Sequence, residues 1–133
     1  MPPVHTYDLK VFYENTDAGG VVYHANYLKF AERARTEYMN SVGIYGRRMM
    51  EGQGIAFVVS SQQVKYVRPA FLEDTLQVRS AINEIKGACF IVSQDIYRGD
   101  VLLVQITSKV ALMDMRTGRP ARIGEELTAK LSG

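Results

Sequence analysis

Residues 14–35 read ENTDAGGVVYHANYLKFAERAR. One short segment thus holds a carboxylate (Asp17), a glycine pair (Gly19, Gly20), an apolar run, a histidine (His24) and what reads as a helix start. A carboxylate can attack an acyl carbon, or take a proton from the water that does. The first N–H groups of a helix lack internal partners and carry partial positive charge, so they can stabilise an oxygen that becomes negative. Paired glycines let the backbone turn sharply and come close to a ligand. Acid, turn and helix end are together the parts of an acyl-transfer site. These residues leave open whether Asp17 is nucleophile or general base. They also leave open whether the His24 imidazole holds water, orients Asp17, protonates a leaving group or only makes a structural hydrogen bond. On spacing alone, turn formation or capping is the commoner use of such an aspartate. Tyr23 and Tyr27 are at most pocket wall.

The elements that must position these residues follow from periodicity. Tyr7, Leu9, Val11 and Tyr13 fall at every second position, which predicts a strand over residues 6–13. Residues 14–24 read as a loop. From Asn26 to about Val42, Tyr27, Phe30, Ala31, Ala34 and Tyr38 recur at spacings of three and four, which predicts one long amphipathic helix with Gly43 as its stop. Residues 43–54, GIYGRRMMEGQG, read as a glycine-rich connection with room for one short helical turn. There Met49 and Met50 either adapt to a flexible ligand or fill gaps under the loop. From Ile55 to Met113 the chain reads as strands. Ile55, Phe57 and Val59 alternate, then Val64 and Tyr66 alternate with opposite parity, which places a bulge near residues 60–63. Leu76, Val78 and Ile82 share a face. Gly87 and Arg98-Gly99-Asp100 supply hairpin turns, and a short helix is expected near residues 124–131. Strands joined by tight turns make an antiparallel sheet, and one helix must cover its apolar face. The expectation is an α+β fold: a five-stranded antiparallel sheet wrapped around one long helix, in one domain over residues 1–133. Its outer strands keep open edges, which favours pairing with a second copy.

Composition narrows the function classes. The chain has 133 residues, 47% hydrophobic and 23% charged, as in ordinary soluble domains. A net charge of +2 gives no reason to expect nucleic acid. The N-terminal MPPVHTYDLK lacks a basic segment followed by an apolar one, so no signal peptide is expected. No window approaches the ~20 apolar residues of a membrane span. The single cysteine, Cys89, excludes an internal disulfide and fits a reducing, cytoplasmic compartment. Two separated histidines, His5 and His24, make no metal site.

The segment YENTDAGGVVYHANYLKFAERAR resembles the signature of hotdog-fold acyl-CoA thioesterases of the 4-hydroxybenzoyl-CoA thioesterase type, in particular a bacterial subgroup associated with the Tol-Pal envelope system. IAFVVSSQQVKYVRPAFLEDTLQVRSAI is similar to that family's second and third strands. The resemblance implies a sheet wrapped on the helix, dimers that join their sheets, pairing of dimers into homotetramers, and active sites at the dimer interface. It implies an acyl-CoA substrate, with no cofactor besides the coenzyme A of the substrate itself; acyl carrier protein is a candidate further partner. Asp17 is then the catalytic carboxylate, with His24 beside it. Gly20, Val22, Tyr23, Tyr27, Val59 and Ser60 are expected to bind substrate. Arg98, Lys109, Arg116, Arg119 and Arg122, or Lys65 and Arg68, are candidates for the coenzyme's phosphates. The alternative is an envelope-linked protein that binds acyl-CoA or acyl carrier protein without hydrolysis. A hotdog dehydratase ranks behind both, because residues 26–42 contain no histidine.

Overall fold

The apolar stripe read above does form a helix. In the computed structural model, which describes residues 4–132, α1 spans His24–Ser41. Residues 1–3 and 133, the ends of the expected domain and of the N-terminal stretch, lie outside the described residues. α1 starts two residues before the predicted boundary. Tyr27, Phe30, Ala31, Ala34 and Tyr38 are all buried on one face. Gly43 sits just past its end at φ 85°, where a side chain would be strained. The next helix is longer than predicted: α2 runs Gly46–Gln53, two turns rather than one. α3, Glu125–Ser132, lies where a short helix was expected.

The strands are β1 (His5–Lys10), β2 (Ile55–Tyr66), β3 (Thr75–Lys86), β4 (Cys89–Arg98), β5 (Val101–Asp114) and a two-residue β6 (Arg119–Pro120). They form one antiparallel sheet in the order β1-β3-β4-β5-β2, with β6 added to the end of β5. The five long strands are those predicted. β1 stops at Lys10, and Tyr13, expected on its buried face, opens a 3-10 turn and is 80% exposed. The predicted bulge falls between Val59 and Ser61. Gly87 and Gly99 turn the β3–β4 and β4–β5 hairpins with φ of 64° and 59°.

One connection differs from the expected chain of hairpins. β2 pairs with β5, not with β3, so residues 67–74 must cross the end of the sheet. The backbone of this crossing is anchored: Val67 and Arg68 donate to Leu103 O at 2.8 and 3.0 Å. Its Ala70 is fully buried. The crossing carries residues 66–70 to the first turn of α1, which no hairpin could do.

Two apolar clusters divide the core. Tyr27, Phe30, Ala31 and Ala34 belong to the cluster under the first half of α1; Tyr38 belongs to the other, with Ile44, Phe90, Leu112 and Leu131. Buried polar groups lie near the midpoint of α1. The Gln94 amide donates to Ala31 O at 2.8 Å and to Ser80 Oγ at 3.0 Å, and its oxygen accepts from Arg35 at 2.9 Å. With both amide hydrogens used, Gln94 can only present an acceptor to the guanidinium. Burial lowers the Arg35 pKa from its usual value, the nearby Glu32 opposing this.

Candidate active site

The loop between β1 and α1 is pinned at its base. Asn15 is buried, and its carbonyl accepts from Tyr23 N–H at 3.1 Å and from the Asn26 side-chain amide at 2.8 Å. A bridge pairs Thr16 with Val22, and Val22 N–H donates to Ala70 O at 2.9 Å. Between these anchors the chain makes a tight turn. Asp17 N–H donates to Val21 O at 2.9 Å, and Gly20 N–H to Asp17 O at 3.1 Å. Gly20 occupies φ 78°, a conformation that favours glycine. Asp17 Oδ1 accepts from Gly19 N–H at 2.8 Å and from Val21 N–H at 3.4 Å. A Cβ at Gly19 would lie 3.3 Å from that oxygen. The turn therefore fixes one carboxylate oxygen, while Oδ2 has no hydrogen-bond partner among the described residues. The Asp17 side chain is exposed.

The start of α1 is left open. Its N-cap is Tyr23, which supplies no side-chain cap, and the first turn holds no acid. Asn26 N–H turns back to Tyr23 O at 2.9 Å. Among the described residues, nothing accepts from the N–H groups of His24 or Ala25. Two donors with the helix's partial positive charge thus remain beside the Asp17 turn.

Aromatic rings surround this point. The His24 ring stacks on Tyr66 with centroids 4.8 Å apart, and Tyr23 flanks it at 6.3 Å. Tyr66 leans in turn on Tyr27 at 5.7 Å, and its hydroxyl lies 3.5 Å from His24 O. Tyr27 is buried, and its hydroxyl oxygen accepts from Ala70 N–H at 2.9 Å. Burial pushes the Tyr27 phenol pKa up, against a smaller lowering by that N–H. Between the helix start and the crossing loop opens a cleft of about 270 Å³, walled by Val21, Val22, His24 and Tyr27 on one side and by residues 66–69 on the other.

Residues 11–131 match the family model described as the thioesterase-like superfamily. The chain belongs to the thioesterase-like superfamily. It is 40% identical over 124 residues to the acyl-CoA thioesterase YbgC of Haemophilus influenzae, covering 93% of this chain and 91% of that relative. A probable thioesterase of Bartonella henselae, 33% identical, superposes with a TM-score of 0.87 over 92% of this chain and 100% of that one. A 4-hydroxybenzoyl-CoA thioesterase, solved as an aspartate-to-asparagine variant with 4-hydroxybenzoyl-CoA, shares the fold with a TM-score of 0.90 over 97% and 99% of the two chains, at 19% identity. The hotdog architecture expected from the sequence is therefore that of this thioesterase-like chain.

Within this superfamily member, the predicted residues separate into three groups. Val22, His24 and Tyr27 wall the cleft. Asp17 and Gly20 form the turn leading into it, and Tyr23 points outward, 59% exposed. Val59 and Ser60 do not join them: they lie at the β2 bulge, about 20 Å along the strand from Tyr66 at ~3.3 Å per residue. Of the candidate cations only Arg68 lines the cleft. Arg98 is committed to Asp74 at 2.9 Å, and Arg116 crowds Gly54. Tyr66, which the sequence shows only as part of the β2 alternation, is 44% exposed and stacks on His24. Asn26, which locks the loop to the helix, belongs to the motif that carries the family resemblance, but its spacing alone does not mark it as a tie to Asn15.

Proposed function

We propose that this thioesterase-like protein hydrolyses acyl-CoA thioesters at the cleft beside the start of α1, with short-chain and aromatic acyl groups as the substrate class. The observation that carries the reading is the open end of α1 next to the Asp17 turn. The N–H groups of His24 and Ala25 would receive the thioester oxygen as it becomes negative. Asp17 Oδ2, the oxygen its own turn does not use, would act on the carbonyl carbon. As nucleophile it forms a mixed anhydride, expels the thiolate and is released by water. As base it takes a proton from water, whose oxygen then displaces the thiolate. Either route consumes one water and yields a carboxylate and a thiol, and neither requires a cofactor. The His24 ring, which stacks on Tyr66, would hold water, orient the carboxylate or protonate the leaving thiolate.

The long β2 strand supports a dimer as the working unit. It is a sheet edge of 12 residues with Val58 and Val59 exposed, the kind of edge that pairs with another chain. Val59 and Ser60 are proposed to meet substrate only across such a junction. Pairing of dimers into tetramers, delivery by acyl carrier protein and work on the cytoplasmic side of the Tol-Pal system extend the same reading. No helix among the described residues is long and apolar enough to cross a membrane. The test is thiol release from a panel of acyl-CoA and acyl-carrier-protein thioesters by the wild type and by Asp17→Asn. Turnover that survives Asp17→Asn unchanged would remove Asp17 from the reaction. Binding of acyl-CoA with no release above buffer would favour the non-hydrolytic alternative.

A further inference from the structure

A larger concavity, of about 730 Å³, lies at the other end of α1 and shares no lining residue with the first. The 18 residues of α1 separate the two by about 27 Å at ~1.5 Å per residue. One face of α2 with its N-cap roofs this cavity: Tyr45, Arg48, Met49, Gly52 and Gln53, at the three-and-four spacing of a single helical stripe. A stripe resting on the core would carry Leu or Ile. This one has a single long apolar side chain, and no residue of α2 is buried. α2 therefore touches the core through Met49 and otherwise spans open space.

The floor and rim differ in chemistry. Ile44 and Leu112, both buried, and the half-buried Ile55 and Leu127 make an apolar floor. Arg48 and Arg122 stand on the lining with no ion-pair partner among the described residues. The Arg48 guanidinium lies over the Tyr45 ring at 4.5 Å, which fixes its place without neutralising it. Lys130 is shared with Glu126 at 3.4 Å. An apolar floor with a cationic lip fits a small-molecule site for an amphipathic anion, and the volume is in the range of such sites. Planar guanidiniums suit a carboxylate, and Glu126 on the same lining disfavours a more highly charged head group. Met49 in the roof can adjust to chains of different shape.

We propose that this cavity is a binding site for a free single-chain carboxylate, its acyl chain on the Ile44–Leu112 floor and its head group taken by Arg48 and Arg122. Within one chain the site shares no lining residue with the hydrolytic cleft, and its occupancy does not depend on the activity proposed for that cleft. The chain has no tryptophan, so Tyr45→Trp places a single reporter in the roof. Titration of that protein with decanoate is expected to give a saturable emission shift that weakens as salt is raised. Decanol, and the addition of Arg48→Ala with Arg122→Ala, should each weaken binding by about tenfold or more, the size of one lost charge-assisted hydrogen bond. Arg48→Lys with Arg122→Lys keeps the charge and should retain most of the affinity, which separates lost binding from lost folding. Hydrolysis of a short acyl-CoA by Arg48→Ala alone should stay within about twofold of wild type, as for a distant independent site. Decanol binding as tightly as decanoate, affinity untouched by the double alanine change, or no saturable signal would each overturn the site.

Discussion

The two ends of α1 are finished in opposite ways. At the C-terminus the chain closes on itself: Gly43 takes the left-handed conformation, its N–H donates to Asn40 O at 3.1 Å, and Ile44 N–H donates to Met39 O at 2.8 Å. At the N-terminus a tyrosine stands where Ser, Thr, Asp or Asn would cap, and two N–H groups have no partner among the described residues. A good cap there is typically worth about 1 kcal/mol. One helix thus shows a satisfied end and an unsatisfied one, and the unsatisfied end is the one beside an acid, a histidine and a cleft. Forgone local stability of this kind is what a site for developing negative charge requires.

The strongest way to break the contrast is to remove the acid. Asp17→Asn keeps the oxygen that accepts from Gly19 N–H, so the turn should survive. Thiol release should fall by roughly 10²–10⁴-fold, the usual contribution of a positioned acid–base group, while thermal unfolding stays near that of wild type. A matching loss of stability would mean that the residue served the turn. Next comes closing the open end. Tyr23→Asp supplies the missing cap and should stabilise the protein by about 1 kcal/mol, a rise of a few degrees in Tm. The same change should lower kcat by about 10²-fold if the proposal holds, because the cap would occupy the donors proposed for the oxyanion. Tyr23→Ala, which removes the exposed ring without capping, should do neither. A stabilised Tyr23→Asp protein with normal turnover would show that these N–H groups are not used.

Much of this arrangement was legible beforehand, and what was missed has a common cause. The α1 stripe, the β2 bulge and the Gly87 and Gly99 turns are local, so spacing reveals them; for the Asp17-to-His24 segment spacing alone favours a plain turn, and only the motif resemblance singles it out. The crossing of residues 67–74 is not local. Val64 and Tyr66 carry strand alternation whether β2 pairs with β3 or with β5, and parity cannot report which. Tyr66 is therefore legible as a strand residue but not as the ring that stacks on His24. Val59 and Ser60 show the same limit at the next level, since strand alternation places them on a face but says nothing of which chain they meet. Polar residues inside the core were also unread. Gln94 and Arg35 satisfy each other across 59 positions of sequence, a distance no window spans.

The closed end of α1 gives a smaller, opposite test. A Cβ at Gly43 would meet only Lys130 Cε, at 4.0 Å, so Gly43→Ala imposes backbone strain without a clash. The expected cost is about 1–2 kcal/mol of stability, read by denaturant titration, with thiol release per folded molecule unchanged. The N-terminal changes should move activity far more than stability, and this one should move stability alone. Loss of turnover in folded Gly43→Ala would mean that the two ends are coupled through the helix.

The smallest effect concerns the two buried tyrosines, one in each core cluster. Burial raises the phenol pKa of Tyr27 and of Tyr38 above the ordinary value of 10.0. A raised folded-state pKa gives a contribution that is fully present below the unfolded value and is lost as pH climbs through the folded one. Stability should therefore decline above about pH 10, where the unfolded chain sheds phenolic protons that the folded chain still holds. Among the described residues the Tyr38 hydroxyl has no hydrogen-bond partner, so Tyr38→Phe should leave stability at pH 7 nearly unchanged and flatten the alkaline decline. Tyr27→Phe flattens it too, but it orphans the buried Ala70 N–H and so also lowers stability at neutral pH. Denaturant midpoints measured from pH 7 to 11 separate the two. Equal losses at pH 7 would show that the bond from Ala70 to Tyr27, which ties the crossing loop to the open end of α1, contributes nothing to holding the cleft together.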